Sequence, residues 1–371
     1  MEISERLEIL SRDSRYDLAC ACAPRHDEHR RRSEENKWIY PVSLPNGGST
    51  YLFKTLLSNG CVNNCKYCPL RAGVDSRRCF LNPEELAGVF LSYYKARRVS
   101  GLFLSSAVAK SPDETMERIN RTALILRKAQ FRGYIHLKII PGASDAAIRS
   151  TLALASAVSL NIETAGENNF KYLSTAKDYL RDIIRPIELI SRLTAKGSYY
   201  EGVKQTTQFV VGAAQETDSQ IIGYSWKLYK GLSLSRVYFS AYQRGPGSSD
   251  LPGERSSSTC ADILTREHRL YQADWLIRKY GFGAEEIPFE PDGNLSLASD
   301  PKESWARRHP EYFPVNVNKD DKCRLLRVPG LGQVTAEKIL SMRKAGARIR
   351  SPAALGKPGK LLNKALRYIT F

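Results

Sequence analysis

Three cysteines stand within eight residues of one another. Three residues separate Cys61 from Cys65 and two separate Cys65 from Cys68, so a tight loop can direct all three sulfurs toward one centre. Thiolates are the ligands of iron-sulfur clusters and of structural zinc sites. A closed structural site needs four ligands, and the next thiol, Cys79, lies outside this loop. The spacing therefore predicts a metal centre that three cysteines hold and that keeps one position open.

Zinc is the alternative at this loop, with the fourth ligand supplied by a distant cysteine or histidine. Five cysteines remain outside the loop: Cys20, Cys22, Cys79, Cys260 and Cys323. Only the first two are close in sequence, and most such thiols are unremarkable packing residues. We therefore expect no second cluster.

Alternating strands and helices precede and follow the cysteine loop. Tyr51–Leu57 reads as a strand that delivers the loop at its carboxyl end. Five more apolar, β-rich runs follow at Gly101–Ser105, Tyr134–Ile140, Ala157–Ile162, Gln208–Val211 and Val237–Ala241. Helix-start signals, such as Asn82 with Pro83 and Ser111 with Pro112, stand between the runs. The pattern predicts a parallel α/β sheet of six strands, whose loops at the strand ends carry the chemistry.

The tail contains two short predicted helices joined by Pro-Gly-Leu-Gly at residues 329–332, which resemble a helix-hairpin-helix module. Gly330 and Gly332 let the backbone approach a phosphate closely, and the second helix would present free amides to it. Arg343 and Lys344 add cations nearby. The segment predicts a nucleic-acid contact that positions the phosphate backbone, and the alternative is a small helical domain without a ligand.

Charge agrees with a polyanionic partner. Fifty-six lysines and arginines stand against 39 acidic residues, a net charge of +17 in 371 residues. Such a field concentrates nucleic acids, although a solubilising surface is the other reading. The sequence has no apolar run of membrane-spanning length. The N-terminus lacks the apolar core of a signal peptide, and the cysteines do not form a disulfide framework, so we expect a cytoplasmic protein.

Composition divides the chain into four predicted segments. Residues 1–50 form a helical and basic extension that includes the run Arg30–Arg32, and residues 51–245 form the sheet domain. Residues 246–318 are an extension that packs on this domain, and residues 319–371 are the small, all-helical hairpin module.

The C-x3-C-x2-C spacing, with Tyr67 before its last cysteine, resembles the signature of radical S-adenosylmethionine (radical SAM) enzymes. Four further phrases resemble a family of radical SAM proteins described as DNA modification or repair proteins: Gly101–Ser106, Gly133–Lys138, Arg266–Trp275 and Leu326–Gly330. The resemblance spans most of the chain and implies a partial barrel of six βα units. It also implies that Cys61, Cys65 and Cys68 each hold one iron of a [4Fe-4S] cluster, whose fourth iron chelates S-adenosylmethionine. An electron donor such as flavodoxin or ferredoxin follows from the same resemblance.

The same resemblance implies the remaining cofactor contacts. Ser105 and Ser106, at the end of the second strand, would meet the methionine amino group. Asn161 and Glu163, at the end of the fourth, would meet the methionine or the ribose, and Tyr67 would lie against the adenine. Residues of these types at strand ends also cap helices and close turns, which is the alternative reading.

The leading hypothesis is a radical SAM enzyme that modifies or repairs a nucleotide in DNA or RNA. One alternative is a radical SAM enzyme for a protein or a small molecule. The other is a non-catalytic nucleic-acid-binding protein with a structural metal.

Overall fold

The computed structural model describes residues 1–17, 38–43 and 48–371. The basic run Arg30–Arg32 and the pair Cys20 and Cys22 lie outside the described residues. The chain divides into two compact units. The first unit contains Met1–Glu216 and Lys227–Glu267, and the second contains Thr217–Trp226 and His268–Phe371.

The first unit is built on a seven-stranded sheet whose strands follow one another in chain order. The strands are β1 Ile39–Ser43, β2 Ser49–Leu56, β3 Gly101–Ser105, β4 Tyr134–Lys138, β5 Ala157–Ser159, β6 Lys204–Val211 and β7 Arg236–Ala241. β1 pairs antiparallel with β2, and every later pair is parallel. The predicted parallel α/β sheet of six strands is confirmed.

β1 is the strand that sequence reasoning missed. It is short, contains Pro41, and pairs only with β2 at the edge of the sheet. A central strand donates amide hydrogens to both of its neighbours. Proline has no amide hydrogen, so it fits best in an edge strand. Pro41 therefore counts against a strand in a segment whose other residues, Ile39, Tyr40 and Val42, favour one.

Helices connect the parallel strands, and local capping explains where several begin. The helices up to residue 280 are α1 Ile3–Asp13, α2 Pro83–Lys95, α3 Pro112–Lys128, α4 Asp145–Leu152, α5 Glu167–Leu173, α6 Arg185–Thr194, α7 Asp218–Gly231, α8 Pro252–Arg255 and α9 Cys260–Tyr280. Of these, α7 and α9 each have residues in both units, and the others belong to the first. Asn82 caps α2 by accepting from the Glu85 amide at 2.8 Å, and the Glu85 carboxylate accepts from the Asn82 amide at 2.9 Å. These reciprocal bonds satisfy amides that the first helical turn leaves free. No helix in the described ranges is long and apolar enough to cross a membrane.

The second unit contains the tail. Its further helices are α10 Pro301–Arg308, α11 Lys322–Arg327, α12 Gln333–Lys344 and α13 Lys360–Ala365. The tail was predicted to be all helical, but β9 at Ile369–Thr370 pairs in parallel with β8 at Val315–Asn316. This pairing joins the last residues of the chain to the segment before α11. The tail core buries Val315, Leu325, Ile339 and Ile369 together with other apolar side chains.

The predicted hairpin residues connect α11 to α12. Gly330 has φ +86°, and a Cβ atom there would lie 2.2 Å from the Leu361 carbonyl oxygen of α13. Lys302 of α10 donates to the Leu331 carbonyl at 2.6 Å. The hairpin is therefore fixed from two sides, and its first glycine is required by backbone packing as well as by its conformation.

We expect Gly330→Ala to destabilise the chain more than Gly346→Ala, since both sites have positive φ but only Gly330 has backbone within contact. The left-handed conformation costs roughly 1–2 kcal/mol at either site. Crowding against α13 adds roughly 1–3 kcal/mol at Gly330. Urea unfolding of the two full-length variants measures the loss in free energy of unfolding for each. Equal losses in free energy of unfolding would contradict the packing role of Gly330.

Candidate metal and cofactor site

A cavity of about 200 Å³ lies toward the carboxyl ends of the parallel strands in the first unit. Each strand from β2 to β7, or the loop just after it, contributes at least one wall residue, and these include Leu56, Ser105, Lys138, Asn161, Gln208 and Ser240. Six neighbouring strands in a flat sheet would span roughly 24 Å. So small a cavity can touch all six only because the sheet curls around it.

The three loop cysteines line this cavity together. The amide of Cys68 donates to the Cys65 carbonyl at 2.9 Å, which closes the turn between them. Cys65 is buried. Burial of the Cys68 thiol, and its proximity to Cys65, raise the pKa of Cys68 to about 12. A buried thiolate is unfavourable without a nearby positive charge, and bound metal supplies that charge. The donor set thus suits a metal centre with thiolate ligands.

Across residues 1–17, 38–43 and 48–371, no group of three or more His, Cys, Asp or Glu side chains is arranged to hold a single metal ion. Cys79 is held elsewhere, with its sulfur 3.8 Å from the Arg6 carbonyl oxygen of α1. Cys61, Cys65 and Cys68 share one cavity wall. Three cysteine thiols on one cavity are ligands of the kind that an iron-sulfur cluster uses.

Arg78 clamps the cysteine loop. Its guanidinium donates to the carbonyl oxygens of four loop residues, Asn59 at 2.5 Å, Leu70 at 3.1 Å, Arg71 at 3.1 Å and Val74 at 3.0 Å. Guanidinium has five donors in a rigid plane, so one side chain fixes both ends of the loop. Sequence reasoning missed this residue because nothing in the local pattern of an arginine indicates four carbonyl partners.

Asn59 anchors the start of the same loop. Its side-chain amide donates to the Asp13 carboxylate at 2.8 Å and to the Arg77 carbonyl at 2.9 Å. Its side-chain oxygen accepts from the Cys79 amide at 2.7 Å. Asn59 is fully buried, so these bonds replace the water that the amide would otherwise need. They tie α1, which ends at Asp13, to the residue two positions before Cys61.

Asn161 and Glu163 meet across the cavity wall, where the Asn161 amide donates to the Glu163 carboxylate at 3.3 Å. The backbone of Glu163 donates to Gln208 at 3.1 Å and accepts from Val210 at 2.7 Å. These bonds hold the Glu163 backbone at φ +67°, a conformation that residues other than glycine rarely adopt. Tyr67 lies in the same buried region, and its pKa is raised by burial and then by Glu163.

Ser105 and Ser106 also line the cavity. The Ser106 hydroxyl donates to the Ala107 carbonyl at 2.8 Å. Sequence reasoning missed Lys177, whose side chain lies beside Cys65 and Glu163 in the cavity wall. Burial lowers the pKa of Lys177, but Cys65 and Glu163 outweigh burial and the pKa is raised. Lys177 is thus a cation next to the thiols, and no residue spacing signalled it.

The predicted hairpin residues differ in their surroundings. Gly332 precedes α12 as its N-cap without a capping side chain. The Arg343 guanidinium donates to the carbonyl oxygens of Lys319 at 3.0 Å and Asp320 at 2.5 Å, whereas Lys344 is exposed. Arg343 therefore holds the loop before α11, and Lys344 faces solvent.

Comparisons with known proteins give limited similarity. No family model matches the chain, and no curated protein matches it. Among solved structures, the chain is similar to the FeFe-hydrogenase maturase HydG from Carboxydothermus hydrogenoformans, with 16% identity and a TM-score of 0.45 over 59% of this chain and 49% of that one. A second HydG structure matches with 12% identity, a TM-score of 0.45 and the same coverage. Methylornithine synthase (PylB) matches with 15% identity and a TM-score of 0.46, over 59% of this chain and 61% of that one. The match thus spans about half the length of the HydG chains.

We expect Arg78→Met to reduce the iron and sulfide bound per chain at least twofold after anaerobic reconstitution, because four loop carbonyls lose their common donor. Arg77→Met is the matched control, since the Arg77 guanidinium donates to an exposed carboxylate, that of Glu5, at 2.6 Å. Iron and sulfide analysis of both full-length variants makes the comparison. Full occupancy in Arg78→Met, or equal loss in the two, would contradict the clamp.

Proposed function

We propose that the chain is a radical SAM enzyme that modifies or repairs a nucleotide in DNA or RNA. The observation that carries the proposal is the shared cavity, which brings three thiols and the predicted residues Tyr67 and Glu163 together. Asn161, Ser105 and Ser106 line the same cavity. Residues more than 100 positions apart in the sequence thus line one cavity, which supports the proposal.

In this proposal Cys61, Cys65 and Cys68 hold a [4Fe-4S] cluster, and S-adenosylmethionine binds beside it. When bound, these groups supply one-electron cleavage of the sulfonium and a 5′-deoxyadenosyl radical that removes hydrogen from the substrate. Lys177 is placed to attract the methionine carboxylate, because it is the cation beside Cys65. The curled sheet keeps water away from the reacting atoms.

Glu163 and Asn161 would orient the ribose and the methionine of the cofactor. The Glu163 carboxylate accepts from Asn161 and is held by a backbone that bonds to β6 on both sides. A side chain fixed in this way loses little further freedom when it binds a ligand. Tyr67 contributes a buried ring and hydroxyl to the same region.

Charge on the tail supports a nucleic-acid substrate. From Lys338 to Phe371 the sequence contains nine lysines and arginines and no acidic residue. Lys344, Arg348 and Arg350 are exposed, so phosphates can reach them without displacing protein partners at high cost. A base that reacts at a buried site must leave the stack or be unpaired already. A small electron-transfer protein such as flavodoxin or ferredoxin, and a cytoplasmic setting, complete the proposal.

Cluster formation is the first test. Anaerobic reconstitution of the full chain with iron and sulfide should give broad visible absorbance, and reduction with S-adenosylmethionine should release 5′-deoxyadenosine. Replacing Cys61, Cys65 or Cys68 singly by alanine should remove both signals, whereas Cys79→Ala, whose thiol contacts α1, should retain them. A chain that gains no absorbance, or releases no 5′-deoxyadenosine, is not a radical SAM enzyme. Zinc bound in its place would favour the structural-metal alternative.

Salt dependence is the second test, and it addresses the substrate class. The affinity of the full chain for single- and double-stranded DNA and RNA should fall as salt rises, with a logarithmic slope of about −0.7 to −0.9 per phosphate contact. Replacing Lys344, Arg348 and Arg350 by glutamine should make this slope shallower by about 2.

The matched control removes three exposed cations from the sheet unit, by replacing Arg192, Lys196 and Lys204 with glutamine. It changes the net charge equally, so a specific tail contact predicts a much smaller change in its slope. Equal changes in the two triple variants, or binding that salt does not affect, would contradict the nucleic-acid proposal. Such a result would favour a protein or small-molecule substrate.

A further inference from the structure

Two lysines point into the curled sheet of the first unit. Lys54 lies on β2 and is fully buried, and Lys138 is the last residue of β4 and is 9% exposed. β3 lies between these two strands. An ammonium group taken out of water is unfavourable unless an anion or several acceptors compensate it. The two buried ammonium groups therefore need an anion close to them.

Asp17 supplies this anion. Lys138 donates to the Asp17 carboxylate, and Lys54 donates to the Asp17 backbone carbonyl. The Ser105 hydroxyl of β3 also bonds to this carboxylate. Burial raises the pKa of Asp17, but Lys138 and Lys54 outweigh burial and the pKa is lowered, so the carboxylate is ionised. Two donors on neighbouring strands, Lys138 and Ser105, thus bind the carboxylate, and Lys54 holds the Asp17 main chain and adds a second positive charge nearby.

The anion and its donors have different supports. Lys54, Lys138 and Ser105 belong to the sheet, whose ladder fixes their positions. Asp17 belongs to the segment that follows a 3-10 helix at Ser14–Tyr16, outside any strand or helix. Asp17, Lys138 and Ser105 all line the cavity that the cysteines line. A ligand in the cavity can therefore reach the donors where the carboxylate now lies.

Charge favours a phosphate group as that ligand. A phosphate monoester carries about −1.5 to −2 charge near neutral pH and has three strong acceptor oxygens. The ammonium groups of Lys138 and Lys54 match that charge, and Lys138 and Ser105 supply donors to the phosphate oxygens. The carboxylate of the methionine cofactor has another cation, because Lys177 lies beside Cys65 and Glu163.

We propose that Lys138 and Ser105, with Lys54 adding positive charge beside them, form a phosphate-binding subsite for the substrate, and that the Asp17 carboxylate occupies this subsite until the substrate displaces it. The inference rests on the proposed function for the identity of the ligand as a substrate. It restricts that substrate to one with a phosphate within reach of the cavity, as a nucleotide has. Asp17 then lowers the affinity of the resting protein for simple phosphate.

The test measures binding of radiolabelled inorganic phosphate to the reconstituted full chain by equilibrium dialysis at constant ionic strength. Asp17→Asn should bind phosphate at least tenfold more tightly than the unaltered chain, because the competing charge is gone. Adding Lys138→Gln to Asp17→Asn should abolish this gain. A parallel series with acetate should show a smaller gain, since acetate carries one charge.

Glu114→Gln is the matched control. Glu114 of α3 is a carboxylate between two cations, accepting from Arg118 at 2.9 Å with the Lys110 ammonium at 3.6 Å, but all three lie outside the cavity lining and Lys110 is exposed. It should not change phosphate affinity. An equal gain in Glu114→Gln, no gain in Asp17→Asn, or a gain that survives Lys138→Gln would overturn the subsite. A larger gain for acetate than for phosphate would overturn the assignment to phosphate.

A second pair of variants decides the question if Asp17→Asn does not fold. The weak phosphate affinity of the unaltered chain should persist in Lys138→Arg, which keeps the charge, and should disappear in Lys138→Gln. Equal affinity in all three chains would overturn the subsite. Neither measurement requires turnover. If the chain binds phosphate as expected but releases no 5′-deoxyadenosine, the proposed function fails and the subsite stands.

Discussion

Desolvation of charged side chains inside a curled parallel sheet is the constraint on which the first unit depends. The cavity contains thiols, carboxylates and ammonium groups that water can only partly reach. Each such group needs a partner of opposite charge or a set of hydrogen bonds. Lys138 has Asp17, and Lys177 has Cys65 and Glu163. These pairings set the charge pattern that any cofactor or substrate meets.

The cysteine loop depends on side chains outside the C-x3-C-x2-C motif. Arg78 binds carbonyls on both sides of the three cysteines, and Asn59 joins the start of the loop to Asp13 of α1. The N-terminal segment therefore reaches the cavity twice, through Asp13 at the loop and through Asp17 at the lysines. A segment that looks peripheral in the sequence thus contributes to both walls of the proposed site.

The second unit uses its glycines in two ways. Gly330 lies against the backbone of α13, where a side chain would collide with the Leu361 carbonyl. Gly332 is the N-cap of α12 and has no side chain that could cap the helix. The basic residues after Lys338 surround a packed core that β8 and β9 complete. Backbone packing is therefore a reason for glycine at position 330 of this short hairpin.

The sequence by itself determined the strand and helix order, because apolar runs and capping residues are local signals. It also identified the three cysteines, whose spacing is a local property of one loop, and it pointed to Glu163 and Asn161 through a resemblance. Only the tertiary structure revealed Arg78, Lys177 and the contact of Asp17 with Lys138. These residues act on partners that are distant in the chain, and their single positions carry no periodic pattern. The curl of the sheet, which folding alone sets, decides which strand ends face the cysteines.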